Sequence, residues 1–261
     1  MFLLFWGFKG ETLPQLLVNP EAERTLREGK QFLTEALQKD LLEVDILYNV
    51  ETAVRRGNDI VLCSDGQTLP MLRSQSAAYQ YRCLADYFDT DVPSPIGLFL
   101  VTARPKQDPT DEGERLMTHA LCARLAEAGA EYITDTPQPS DGKEQSASAN
   151  GFSPYKGESE GVHPVRYAFG YASCPDHSLK RIVFDRLEAE QKLNVALTDH
   201  YSILPSTSVC GLLIWHAEAK YFPVGRIDRD QLRDYCRRRK ISIEEGEKLL
   251  SKFVVWAQAG C

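Results

Sequence analysis

The chain has 261 residues, enough for one large domain or two small ones and for a substantial core. Its 43% hydrophobic and 26% charged residues match an ordinary soluble composition, and a net charge of −7 with no basic stripe among aromatics argues against a nucleic-acid partner. No run approaches the ~20 apolar residues of a membrane span. The apolar start Met1–Phe8 lacks the basic flank and cleavage site of a signal peptide. Seven cysteines, odd in number and irregularly spaced, imply reduced thiols in a cytoplasmic protein.

In chain order, Asn19-Pro20-Glu21 opens a helix with an Asn cap, Pro at the first position and an acid in the first turn. The helix is expected to run to about Leu42, with Phe32, Leu33, Ala36, Leu37 and Leu41 on one face. Asp45 to Val50 and Ile60 to Cys63 read as strands joined around Arg55–Asn58, and Asp65-Gly66 turns the chain into Thr68–Leu72. A helix is expected from Ser74 to about Phe88 and a buried strand from Pro95 to Thr102. Glu112 to Tyr132 is the clearest long helix. Leu116, Ala120, Ala123, Glu127 and Ala130 share one of its faces, so Glu127 is a carboxylate on a small-residue stripe. By itself such a Glu is more often solvated or paired with a neighbouring Arg than functional.

Thr136 to Ser159 is rich in Pro, Ser, Gly and Gln and reads as a long connection or flexible insertion. A helix with Leu179, Ile182, Val183 and Leu187 follows Pro175. Val195–Asp199, Ser208–Trp215 and Ala219–Ile227 are three strand-like runs with short links, expected as an antiparallel meander. Asp228 caps a helix through Arg239, whose basic end suits the helix dipole, and Ser242-Ile-Glu-Glu245 is a capping box for the last helix. With several hairpins and no steady βαβ alternation, the fold class is α+β.

No GxGxxG follows a strand and no GxxxxGK[ST] loop is present, which leaves a Rossmann-type methyltransferase unsupported. Cys174-Pro-Asp-His177 invites a metal or nucleophile reading, but further ligands at suitable spacing are lacking. The simpler reading is a helix start at Pro175-Asp176 with Cys174 packed beneath. His200 and His216 read as structural hydrogen-bonders.

The stretch Arg166-Tyr-Ala-Phe-Gly170-Tyr171-Ala-Ser-Cys-Pro-Asp-His177 is followed by Ser208-Val-Cys-Gly211, His216-Ala-Glu-Ala-Lys-Tyr221-Phe222 and Arg229-Asp-Gln-Leu-Arg-Asp-Tyr235. In this order and spacing these pieces resemble the activation domain of cobalamin-dependent methionine synthase. Asn58-Asp-Ile60, Cys83-Leu-Ala-Asp86, Ile96–Thr102 and Arg124-Leu-Ala-Glu-Ala128 extend the resemblance over nearly the whole chain. It implies a single α+β domain over residues 1–261, built on a twisted antiparallel sheet with flanking helices. S-adenosylmethionine would lie in a shallow surface groove.

The resemblance also assigns residues. The pattern Arg-x-x-x-Gly-Tyr falls on Arg166, Gly170 and Tyr171: a guanidinium to grip the methionyl carboxylate, small residues at Ala168 and Gly170 for close backbone approach, and a ring with a hydroxyl. The paired aromatics of His-x-x-x-Lys-Tyr-Tyr fall on Tyr221 and Phe222, suited to adenine and to a sulfonium, with Phe222 lacking the usual hydroxyl. Adjacent residues point to opposite faces of a strand, so one of this pair is expected to pack inward. Glu127 and Glu160 match acids near the ligand. The family's Asp ahead of its first aromatic run has no counterpart in Met1-Phe2-Leu3, so that contact is expected to be missing, replaced, or supplied from upstream. Ser206 stands where Gly commonly follows the Pro.

The homocysteine, folate and cobalamin modules are not in this sequence. The resemblance therefore implies an activation subunit or a piece of a longer methyltransferase. Its partners would be a cobalamin-binding methionine synthase module and a flavodoxin-like electron donor, with the cobalamin held by the partner. The alternative is a non-catalytic docking module for a corrinoid methyltransferase with little S-adenosylmethionine binding.

Overall fold

A computed structural model describes residues 2–9, 12–135, 145–148 and 163–255. Its backbone is organised by β1 (Leu42–Arg56), along most of which β4 (Ser94–Pro105) runs antiparallel, from Leu42↔Pro105 to Ala53↔Ser94. On the other edge β1 pairs β2 (Asp59–Leu62) near its end and β5 (Gln145–Ser148) near its start. With β3 (Thr68–Pro70), β6 (Val165–Ala168) and β9 (Ser208–Ile214), the sheet runs β3-β2-β1-β4-β9-β6, all pairs antiparallel. The expected antiparallel α+β architecture is therefore observed. Strand β5 lies inside the stretch read as a connection; the rest of 136–159 lies outside the described residues.

Strand alternation sorts the core into two layers. Tyr48, Val50, Phe99, Val101, Leu213 and Trp215 point to one face and pack on α4 (Glu112–Tyr132). Leu98, Leu100, Cys210, Leu212 and Ile214 point to the other and meet Val183, Phe184 and Leu187 of α5 (Lys180–Leu187). A smaller core joins α7 (Arg229–Arg239) to α8 (Ile243–Leu249) through Leu232, Tyr235, Cys236 and Leu250. In a further small cluster, Leu3 of α1 (Phe2–Phe5) and Leu16 of α2 (Leu13–Leu17) close on Ala22 of α3 (Pro20–Gln38). No helix among the described residues is long and apolar enough to cross a membrane.

The expected caps at Asn19, Asp228 and Ser242 form, their side chains accepting backbone N–H bonds from Glu21, Gln231 and Glu245. Only the Ser242 half of the expected capping box is seen among the described residues. Asp111, not anticipated from sequence, caps α4 by accepting from Glu114 N–H. Helix α3 stops earlier than expected: Asp40 takes a left-handed φ of 53° and Leu42 already begins β1. On α4 the buried stripe is Thr118, Cys122, Ala126 and Ala130 with Ala120 and Leu121, whereas Leu116 is exposed. Glu127 sits one residue past that stripe, at the helix edge.

Three expectations are corrected. The segment Ser74–Phe88 is two 3-10 turns, Ala77–Tyr79 and Leu84–Tyr87, broken by left-handed Gln80 and Tyr81. Arg73 holds the segment through Asp86 and Asn58 at 2.7–3.0 Å, and Ser74 N–H bonds Arg82 O at 2.8 Å, so tertiary bonds replace the helical ones. The meander does not form. Only Ala196–Leu197 (β7) and Ile203–Leu204 (β8) pair, as a separate hairpin, while β9 is inserted between β4 and β6. Ala219–Ile227 contains no strand. Pro223 lacks an N–H, Gly225 takes φ +73°, and the segment is pinned instead by individual bonds from other elements.

The remaining elements are α6 (Ala189–Lys192) and the turn His177–Leu179 that leads into α5. Asp176 caps that turn, accepting from Ser178 N–H at 2.7 Å, and Cys174 is buried beneath with its Sγ 4.0 Å from Met71 Sδ. The helix-start reading of Cys174–His177 is the observed one.

Candidate functional site

A cleft of about 430 Å³ opens where the end of β6, the edge of α4 and the irregular 219–224 segment converge. Arg166, Ala168, Tyr171, Tyr221, Phe222 and Glu127 all line it, so residues spread over almost a hundred positions of sequence meet at one surface. Gly170 is not on the wall but builds it. Its φ of +89° turns the chain after β6, and a Cβ there would collide with the His177 ring, so no other residue fits without displacement. Glu160 lies outside the described residues.

Arg166 and Glu127 form an ion pair of 3.0 Å, with side chains 17% and 19% exposed, and the guanidinium also reaches Glu127 O at 3.4 Å. One of the readings open for Glu127, pairing with an arginine, is thus observed, and that arginine is Arg166 of the Arg-x-x-x-Gly-Tyr pattern. Tyr171 Oη donates to Glu127 Oε1 at 3.5 Å. Burial, and next the Glu127 charge, push the Tyr171 phenol above its ordinary value, which keeps it a protonated donor. The cleft therefore offers a positive and a negative group side by side, a combination that matches the zwitterion of an amino acid.

The aromatic pair divides as strand-like alternation implied, although the backbone there is not a strand. Phe222 is 2% exposed and belongs to the main core, while Tyr221 is 67% exposed with its ring 5.5 Å from that of Tyr167. Tyr167 and Tyr87, whose rings stack at 6.3 Å, both donate to Lys220 O, at 3.0 and 3.2 Å, and Tyr87 Oη accepts from Lys220 N–H at 3.2 Å. Ser173 Oγ bonds both the N–H and the O of Phe222, and Val224 N–H bonds Ala172 O at 2.8 Å. The His216 ring lies tilted against that of Tyr87 at 5.3 Å and accepts from Glu218 N–H, a structural role as expected. These bonds hold an otherwise unladdered segment against the cleft.

Sequence reasoning missed Tyr79, Tyr167, Ala172, Ser173 and Pro223 as lining residues. Tyr167 carried a signal, since it lies between Arg166 and Ala168 in the motif and alternation puts it under the floor. Burial, and next its neighbour Tyr87, raise its phenol well above the ordinary range. Tyr79 carried none, because its segment reads as helix.

Comparison with known proteins bears on this cleft. The chain is similar to the crystal structure of the MetH reactivation domain bound to AdoHcy, with a TM-score of 0.81 and 27% identity over 98% of this chain and 85% of that one. Residues 1–240 match the family model for the activation domain of vitamin B12 dependent methionine synthase. The chain belongs to the activation-domain family of vitamin B12 dependent methionine synthase.

Proposed function

We propose that the cleft binds S-adenosylmethionine and that the chain, as one domain over residues 1–261, serves reactivation of a cobalamin-dependent methionine synthase. The observation that carries the reading is the meeting of Arg166, Glu127, Ala168, Tyr171, Tyr221 and Phe222 on one cleft of about 430 Å³, within the range of small-molecule sites. Arg166 would take the methionyl carboxylate with charge-assisted bonds, and Glu127 the ammonium. Ala168 and the Gly170 turn leave room for the nucleotide to lie against backbone. Exposed Tyr221 would stack on adenine or face the sulfonium, Phe222 supports it from the core, and Tyr171 presents ring and hydroxyl at the mouth. Glu160 remains a proposed second acid.

When bound, the ligand supplies a methyl group for reductive methylation of cob(II)alamin to methylcobalamin. The corrinoid would be held by a cobalamin-binding methionine synthase module, and the electron would come from a flavodoxin-like donor. This chain's part is to bind the methyl donor, fix its orientation and present it at an open surface. Free thiols at Cys63, Cys83, Cys122, Cys174, Cys210 and Cys236 agree with a cytoplasmic setting.

The test is reconstitution of the full chain with a cobalamin-binding module and a one-electron reductant, followed by corrinoid absorbance. Methylcobalamin formation that requires both the chain and S-adenosylmethionine is expected. Docking to the module without methyl transfer would instead support the non-catalytic docking alternative.

A further inference from the structure

We propose that a second cavity, on the far side of the Glu127–Tyr171 wall, is a binding site for a small oxyanion of phosphate or carboxylate type. The cavity measures about 250 Å³ and lies between α4, the turn after β6, the start of α5 and the loop entering β9. Its walls carry two cations, Lys180 and Arg124.

Lys180 is only 7% exposed, yet it forms no ion pair among the described residues. Its ammonium donates to Tyr201 O at 2.9 Å and to His177 Nδ1 at 2.8 Å, both neutral acceptors. An ammonium has only donors, so His177 accepts at Nδ1 and carries its proton on Nε2. Arg124, half-buried across the cavity, makes neither an ion pair nor a hydrogen bond among the described residues. The acid on this wall, Glu127, is already paired with Arg166 at 3.0 Å. A buried cation without a counter-charge is unfavourable, and such charges are ordinarily paired. The exposed hydroxyl-bearing Ser206 at the cavity adds a neutral donor. Two uncompensated cations and a hydroxyl around a void too large for one or two waters make an anion receptor. The site needs no adenosyl ligand, so it stands or falls separately from the cleft reading.

The experiment is thermal unfolding and calorimetry of the full chain titrated with inorganic phosphate, acetate or chloride at constant ionic strength. A saturable rise of a few degrees in Tm with phosphate or acetate, absent with chloride, is expected, with one site per chain. Phosphate alone would mark a phosphoryl ligand, and both together a general oxyanion site that admits carboxylates. The shift should vanish in Lys180→Met and weaken by roughly tenfold in Arg124→Gln, which decides the matter if the Met variant does not fold. No response beyond chloride, or a response unchanged in Arg124→Gln, overturns the proposal.

Discussion

At the scale of single residues, Gly170 and His177 illustrate how the motif is built from backbone requirements as much as from ligand contacts. Gly170 adopts φ +89° directly against the imidazole. Gly170→Ala should therefore lower unfolding stability by about 1–3 kcal/mol, read as a reduced urea midpoint; an unchanged midpoint would show that the turn relaxes freely. His177 titrates below its ordinary 6.5, first through burial and next through the Lys180 cation. A depressed folded pKa means that the unfolded chain takes up the proton first. The His177 contribution is then complete above pH 6.5 and is lost as pH falls through the folded value. Denaturant midpoints measured across that acid window should fall with pH in the wild type and flatten in His177→Gln.

At the scale of elements, the segment 219–224 decides the shape of the cleft without being an element at all. Its Tyr221 is offered to solvent because Phe222 is sunk in the core and Ser173 bonds both Phe222 backbone groups. Ser173→Ala would leave a buried N–H and O without that hydroxyl, a loss of roughly 1–3 kcal/mol. Thermal unfolding should show this, and ligand affinity should weaken because Tyr221 loses its anchorage; unaltered affinity would separate the aromatic from binding. Here the sequence was least legible. Alternating apolar residues in Ala219–Ile227 imitate a strand, but Pro223 and Gly225 deny it a ladder, and its fixing bonds come from Tyr87, Tyr167 and Ser173, distant in sequence. The same holds for Ser74–Phe88, where Arg73 and Asp86 override helical periodicity. By contrast α4 and α7 were readable to within a residue or two, because their caps and lengths are local properties.

At the scale of the whole molecule, a curled antiparallel sheet with α4 on one face and α5 on the other brings the end of β6 beside the edge of α4. That juxtaposition turns Arg166 and Glu127, 39 residues apart, into a partly buried ion pair facing a cleft. The motif residues were legible through the family resemblance, since their order and spacing survive in sequence. Their mutual pairing and the supporting tyrosines were not, because neither periodicity nor spacing encodes which strand lies beside which helix. The proposed role in reactivation requires that this cleft hold an adenosyl amino acid. Calorimetric titration of the full chain with S-adenosylmethionine tests this most directly, with Arg166→Ala alongside and its folding verified by thermal unfolding. One saturable site, weakened at least about tenfold by the substitution, is predicted. No binding at about 1 mM ligand, or equal affinity in the variant, would contradict it.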